Sequence, residues 1–193
     1  VMVGRRDTRL HRTNQNHLGE DMAVITTKGN LFANKIDRSS DLGNQQAIQG
    51  LGGNDTLIGS DGNDTLVGGT GGDTYIVDSV GDVVTENAAE GTDEIRSSVS
   101  YALPTNVEVL TLTGSGDVSA TGNGADNTLT GNAGANTLDG GVGDDTLLGG
   151  AGNDVYVVDS SSDVVTESIS EGMDEVRASA TYTLSSNIER LTL

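Results

Sequence analysis

Aspartate recurs at nine-residue intervals at Asp55, Asp64 and Asp73, and again at Asp145 and Asp154. Each follows two glycines at fixed distances: Gly50 and Gly53, Gly59 and Gly62, Gly68 and Gly71, Gly140 and Gly143, Gly149 and Gly152. A carboxylate beside a tight glycine turn, whose carbonyls can converge, is an oxygen donor set suited to a hard cation. Calcium takes roughly six to eight oxygens at about 2.3–2.6 Å. Two such turns, stacked, could hold an ion between them.

The same spacing defines the elements that must position these residues. Residues 50–76 run GLGGNDTLI, GSDGNDTLV, GGTGGDTYI, and residues 122–157 run GNGADNTLT, GNAGANTLD, GGVGDDTLL, GGAGNDVYV. The eighth place of each phrase is apolar: Leu57, Leu66 and Tyr75, then Leu129, Leu138, Leu147 and Tyr156. Three-residue stretches such as Thr-Leu-Ile favour short strands. The six glycine-rich residues between them favour turns, and glycine at this density excludes helix. Units this small bury a face only against their neighbours, which predicts an elongated stack with a thin aliphatic core. Ile95, Val99, Tyr101 and Leu103 alternate with polar residues and predict one longer half-buried strand; Val107–Leu112 predicts another.

The tandem phrase resembles the RTX family of haemolysin-type calcium-binding repeats, over roughly residues 50–193. The resemblance implies an all-β fold, a right-handed parallel β-roll or β-solenoid of glycine-rich nonapeptides, with longer strands in the spacer. It also implies that each nonapeptide makes half a coil, so that turns two repeats apart stack with Ca2+ between them. The ligands would be the sixth-place Asp and turn carbonyls. On that rule Asp55 stacks on Asp73, Asp64 on Asp82, and Asp145 on Asp163, the last two through degenerate repeats at 77–85 and 158–166. Mixed pairs, Asn127 with Asp145 and Asn136 with Asp154, should be weaker or empty, because Asn brings no charge. Asp154 would then lack a charged partner, and Asp64 would meet only Gln46 behind it. An isolated Asp would cap its own turn; tandem recurrence beside glycines favours metal.

A second repeat overlies the first. Residues 68–112 match residues 149–193 at 26 of 45 positions, with no gap. Three segments are therefore expected: a basic, disordered arm at 1–38, with Met22 a natural start; a first unit at 39–112, containing repeats 50–85; and a second at 113–193, containing repeats 122–166. The second unit stops short of a solenoid cap, which suggests a piece of a longer protein. Asp78, Asp159, Glu86, Glu90, Asp93 and Glu94 recur through the duplication, and serve equally as ligands or as charges that keep the spacer soluble.

Charge separates these segments. Residues 1–38 hold seven of the ten Lys and Arg, whereas residues 39–193 hold three basic and 25 acidic residues. A glycine-rich chain with that self-repulsion should not compact by burial alone, and cations could remove the obstacle; nucleic acid is a poor partner for such a surface. Cysteine is absent, so another staple is needed, and a metal would serve. No apolar run is long enough to span a membrane. The only histidines, His11 and His17, lie in the arm, and no zinc-protease, nucleophile-elbow or phosphate-loop motif is present. The expectation is a calcium-binding, non-enzymatic module of a secreted, extracellular bacterial protein. Type I secretion is implied by the resemblance, and the alternative is the non-catalytic portion of a secreted enzyme. A Thr ladder at the seventh place (Thr56, Thr65, Thr74, Thr128, Thr137, Thr146) would suit ice or a surface polysaccharide, although β-propensity accounts for it more simply, and the apolar ninth-place residues Ile58, Val67, Ile76, Leu148 and Val157 could pack against the spacer or, by self-association, against another chain.

Overall fold

The computed structural model describes residues 25–38 and 45–193. Its regular elements are all strands, and the strands pair in parallel. Two walls result. One is an eight-stranded sheet of β2 (Lys35–Asp37), β4 (Thr56–Ile58), β6 (Thr74–Val77), β8 (Glu94–Ser97), β10 (Val109–Leu112), β12 (Thr128–Thr130), β14 (Thr146–Leu148) and β16 (Val164–Thr166). The other has two parts. Its first part is β1 (Ile25–Lys28), β3 (Gln46–Gly52), β5 (Thr65–Thr70) and β7 (Val83–Thr85). Its second is β9 (Tyr101–Ala102), β11 (Ser119–Thr121), β13 (Thr137–Asp139), β15 (Val155–Val158), β17 (Glu175–Ala178) and β18 (Arg190–Thr192). From β2 to β17 the chain changes wall at every strand, so two strands make one coil of a parallel β-solenoid.

The eighth-place residues drive this winding. All seven are fully buried, whereas the ninth-place residues Ile58, Val67, Ile76, Leu148 and Val157 are half-buried on the outer side. Parallel register stacks like on like: Leu57 on Tyr75, Tyr75 on Ile95, Leu129 on Leu147, Leu138 on Tyr156. Each buried Leu is worth about 1.5–3 kcal/mol, and the contributions spread along an axis instead of converging on one centre.

The duplication acquires a geometric meaning here. β6 and β8 lie in the eight-stranded sheet with β7 opposite, whereas their counterparts β15 and β17 lie in the second wall with β16 opposite. An offset of 81 residues spans an odd number of half-coils, so the second copy is turned to the other side of the solenoid.

Two expectations change. The segment expected to be a disordered arm contains β1 and β2, paired with β3 and β4, so the solenoid begins before residue 39. Ile36 stacks on Leu57 and is buried there, a tertiary gain that local composition does not reveal. The rest of the proposed arm, residues 1–24 with Met22, lies outside the described residues. The single strand expected across Ile95–Leu103 is two strands on opposite walls, β8 and β9. Between them Ser97 Oγ hydrogen-bonds both the carbonyl and the N–H of Val99, a side-chain turn that competes with strand continuation. Among the described residues no helix is long and apolar enough to cross a membrane.

Candidate metal centre

The residue just before each strand of the eight-stranded sheet is, in order, Asn34, Asp55, Asp73, Asp93, Glu108, Asn127, Asp145 and Asp163. From Asp55 onward its side chain turns toward the preceding coil. Asp55 Oδ1 accepts the main-chain N–H of Asn34 at 2.6 Å, Asp73 Oδ1 that of Asp55 at 2.6 Å, and Asp93 Oδ1 that of Asp73 at 2.7 Å. Glu108 Oε2 accepts from Asp93 at 2.9 Å, Asp145 Oδ1 from Asn127 at 2.8 Å, and Asp163 Oδ1 from Asp145 at 3.0 Å. The opposite wall repeats the device: Asp64 accepts from Gln46, Asp82 from Asp64, Asp154 from Asn136, and Asp174 from Asp154. Runs of carboxylate rungs, buried within the repeat blocks, thus line both walls of the solenoid. Rungs are 18 residues apart inside the blocks and change to 20 and then 15 in the spacer.

The side-chain oxygen that is not on a rung divides the turns into two kinds. In capped turns the turn's own backbone satisfies the side chain: Ser60 N–H donates to Asp64 Oδ2 at 2.7 Å, Asn123 to Asn127 Oδ1 at 2.7 Å, and Asn132 to Asn136 Oδ1 at 2.8 Å. Asn136 then turns its amide onto the Val118 carbonyl at 3.0 Å. Asp82 and Asp163 are capped likewise, by Asp78 and Ser79 and by Asp159 and Ser160. In open turns nothing caps it. Oδ2 of Asp55, Asp73, Asp145 and Asp154 is buried without a hydrogen-bond partner among the described residues. The backbone distinguishes the two kinds. In every open turn the second and fourth residues are left-handed: Leu51 and Gly53 (φ 82° and 86°), Gly69 and Gly71 (94° and 132°), Gly141 and Gly143 (84° and 147°), Gly150 and Gly152 (84° and 135°). That conformation suits glycine and is costly for Leu51.

Glycine at the first place has a separate reason. A Cβ at Gly50, Gly59, Gly140 or Gly149 would collide with the carboxylate of its own repeat's aspartate. At Gly68 it would strike Asp73 Oδ2, the Tyr75 hydroxyl and Glu86 Oε1 together. Gly62 sits half-buried in the capped turn of Asp64.

The last open turn of each block gathers further carboxylates. Asp73, Glu86 and Asp93 each place an oxygen within 4.8 Å of the other two, as do Asp154, Glu167 and Asp174. All six are buried. Tyr75 donates its hydroxyl to Glu86 Oε1 and Tyr156 to Glu167 Oε1, which leaves Oε2 of both glutamates without a partner among the described residues.

This much buried charge distorts the proton equilibria. Desolvation pushes Asp73, Asp82, Asp145 and Asp154 up to about 6, and neighbouring carboxylates add to the rise against the opposing rung N–H. Glu86 is pushed up to about 8 by burial and by the charges of Asp93, Asp73 and Glu90; Glu167 reaches about 7, with burial the largest cause. Among the described residues, counter-charge lies elsewhere. Arg96 pairs with Glu94, and Arg177 and Arg190 pair with Glu175, at the partly exposed ends of strands.

The structure brings together Asp55 with Asp73, Asp64 with Asp82, and Asp145 with Asp163, through rungs spaced by 18 residues. Asp154 is the correction. It was expected to lack a charged partner, yet it stacks forward on Asp174 and lies beside Glu167. A strict 18-residue rule misses this, because the spacer coil is 20 residues long. Asp78 and Asp159 are exposed, and Glu94 is engaged by Arg96, so neither set joins the ladder. Glu86 and Glu167 carried a signal in the sequence: each stands 18 residues after a first-place glycine, Gly68 or Gly149.

The family model of the RTX calcium-binding nonapeptide repeat matches the chain in four copies, over residues 47–75 and 121–156. Those two stretches are the blocks that hold the open turns. No curated protein and no solved structure matches the chain.

Proposed function

We propose that this chain, which carries RTX calcium-binding nonapeptide repeats, is a module that folds around calcium outside the cell and serves a structural or interaction role in a secreted protein. The observation that supports it is the set of bare Oδ2 atoms on Asp55, Asp73, Asp145 and Asp154. An unpartnered buried carboxylate oxygen is expensive, and four of them, each in a turn with two left-handed residues, are a donor set in need of a cation. Asp55, Asp73, Asp145 and Asp154 would hold the ions first. Asp64, Asp82 and Asp163, already capped by main-chain N–H, would contribute with a weaker drive. Calcium would supply positive charge along the ladders and hard-acid coordination for oxygen.

Metal binding to a site that exists only in the folded state contributes its free energy to folding. Extracellular calcium modules bind at about 10⁻⁴–10⁻³ M, a range that would leave the chain extended inside a cell and folded outside. That contrast fits export as an unfolded chain through a type I apparatus. Calorimetric titration of the full chain with calcium, with magnesium as control, tests the reading. Saturable uptake of several calcium ions with little magnesium uptake is expected; no uptake at millimolar calcium would refute it.

A further inference from the structure

We propose that Glu86 and Glu167 turn the last coil of each block into a separate class of cation site, Asp73–Glu86–Asp93 and Asp154–Glu167–Asp174, each taking one divalent cation of the calcium type. The proposal rests on the reading that open aspartates hold calcium. It adds a site built by the spacer, with three carboxylates where an ordinary stacked pair of turns supplies two.

The geometry is specific. Glu86 occupies the place of a first-position glycine, one coil beyond Gly68. Its side chain lies back over Gly68, and only the missing Cβ there leaves room for the carboxylate. Gly149 gives Glu167 the same space. Each block then changes its eighth-place residue from Leu to Tyr in this repeat alone. The tyrosine hydroxyl fixes one glutamate oxygen. Asn106 Nδ2 holds the Glu86 carbonyl at 3.0 Å, and Asn187 Nδ2 holds that of Glu167 at 3.0 Å.

With the glutamate so oriented, its free Oε2 and the free Oδ2 of Asp73 or Asp154 are left bare in the same buried cluster. Glu86 is 5 % exposed and Glu167 6 %, so bulk water does not replace the missing partner. Oxygens within 4.8 Å of one another suit a single ion with bonds of about 2.3–2.6 Å. The competing role is a neutral glutamic acid that seals the end of the block through its tyrosine.

The chain has four tyrosines and no tryptophan, so terbium bound beside Tyr75 and Tyr156 would be excited through them. The test compares the full chain with E86Q/E167Q and Y75F/Y156F. It reads tyrosine-sensitised terbium emission, its displacement by calcium, and the calcium count. The expected result for E86Q/E167Q is loss of most of the emission and of two bound calcium ions per chain. Y75F/Y156F removes the chromophore beside each site, and the hydroxyl that orients each glutamate, and should lose most of the emission. Unchanged emission and calcium count in E86Q/E167Q would overturn the proposal and establish the neutral seal. Full emission from Y75F/Y156F would overturn it as well, since the ion would then lie elsewhere. No calcium uptake by the unaltered chain would instead sink the proposed function as a whole.

Discussion

In the first block, the places before β4, β5, β6 and β7 are all aspartate: Asp55, Asp64, Asp73 and Asp82. In the second, Asn127 and Asn136 hold the first two such places, and aspartate returns at Asp145, Asp154 and Asp163. The coils are the same in register and core. What differs is the hydrogen-bond account at the turn. An asparagine accepts from its own turn and donates to the preceding coil, so both ends of the amide are used. An aspartate in an open turn cannot donate, and one of its oxygens is left bare. Parallel winding therefore does not require charge, and the drive for metal is concentrated where the second-place residue is left-handed. Asp64 sharpens the point, since it is acidic and yet capped by Ser60.

The largest effect should ignore this distinction. Leu66→Ala in the first block and Leu138→Ala in the second each empty a fully buried core position, at a cost of about 2–5 kcal/mol. Denaturant unfolding in saturating calcium should give similar losses for both, and a much smaller loss in one block would break the equivalence of the two cores.

Next comes the rung itself. Asp73→Ala leaves the buried N–H of Asp55 without an acceptor, a penalty of about 1–3 kcal/mol, and removes an ion ligand besides. Asp73→Asn keeps polar side-chain atoms at the rung and should recover part of the stability in chelator while calcium affinity stays low. Equal calcium affinity in the Asn variant and the parent would show that the open aspartate is not a ligand.

Acidity should imitate calcium. The folded-state values of Asp73, Asp145 and Asp154 are raised to about 6 and that of Glu86 to about 8. Raised acids hold their protons more tightly when folded. Their contribution is therefore complete below the unfolded value, and it falls away as pH rises through the folded one. Metal-free protein should gain structure as pH is lowered from about 8 toward 4, until positive charge elsewhere intervenes. Loss of structure over that interval, followed by circular dichroism in chelator, would contradict the burial of these carboxylates.

The smallest effect concerns Leu51, the one second-place residue of an open turn that is not glycine. Left-handed backbone costs an L-residue about 1–2 kcal/mol, partly offset by the entropy that glycine loses on folding. Leu51→Gly should therefore stabilise the calcium-loaded chain by about 0.5–1 kcal/mol. Destabilisation on thermal unfolding would mean that the Leu side chain carries more packing than its exposed position suggests.

The nine-residue phrase made the coil legible, because the eighth-place apolar residue and the flanking glycines leave the chain few other ways to wind. It also located the aspartates, while their 18-residue stacking followed from the resemblance to the RTX repeats and is the spacing of the rungs inside the blocks. The spacer was less legible. There the coil lengthens to 20 residues and shortens to 15, so Asp93, Asp174 and Glu108 enter the ladder off the count. β9 was hidden because alternation across Ile95–Leu103 looks continuous until Ser97 bends the chain. The split into open and capped turns was present in the second-place residues, Gly or Leu against Ser, Asn or Asp, but its meaning depends on backbone dihedrals that spacing alone does not give.

The central claim is that the bare aspartate oxygens make folding depend on calcium. The most direct measurement is far-UV circular dichroism of the full chain in chelator and then in calcium, above the range near 8 where Glu86 titrates. The account predicts a largely unfolded spectrum in chelator, with cooperative gain of β-structure as calcium rises to millimolar concentrations and little response to magnesium. A complete β-spectrum in chelator, unchanged by calcium, would contradict it, because the leucine stack and the rungs alone would then hold the solenoid.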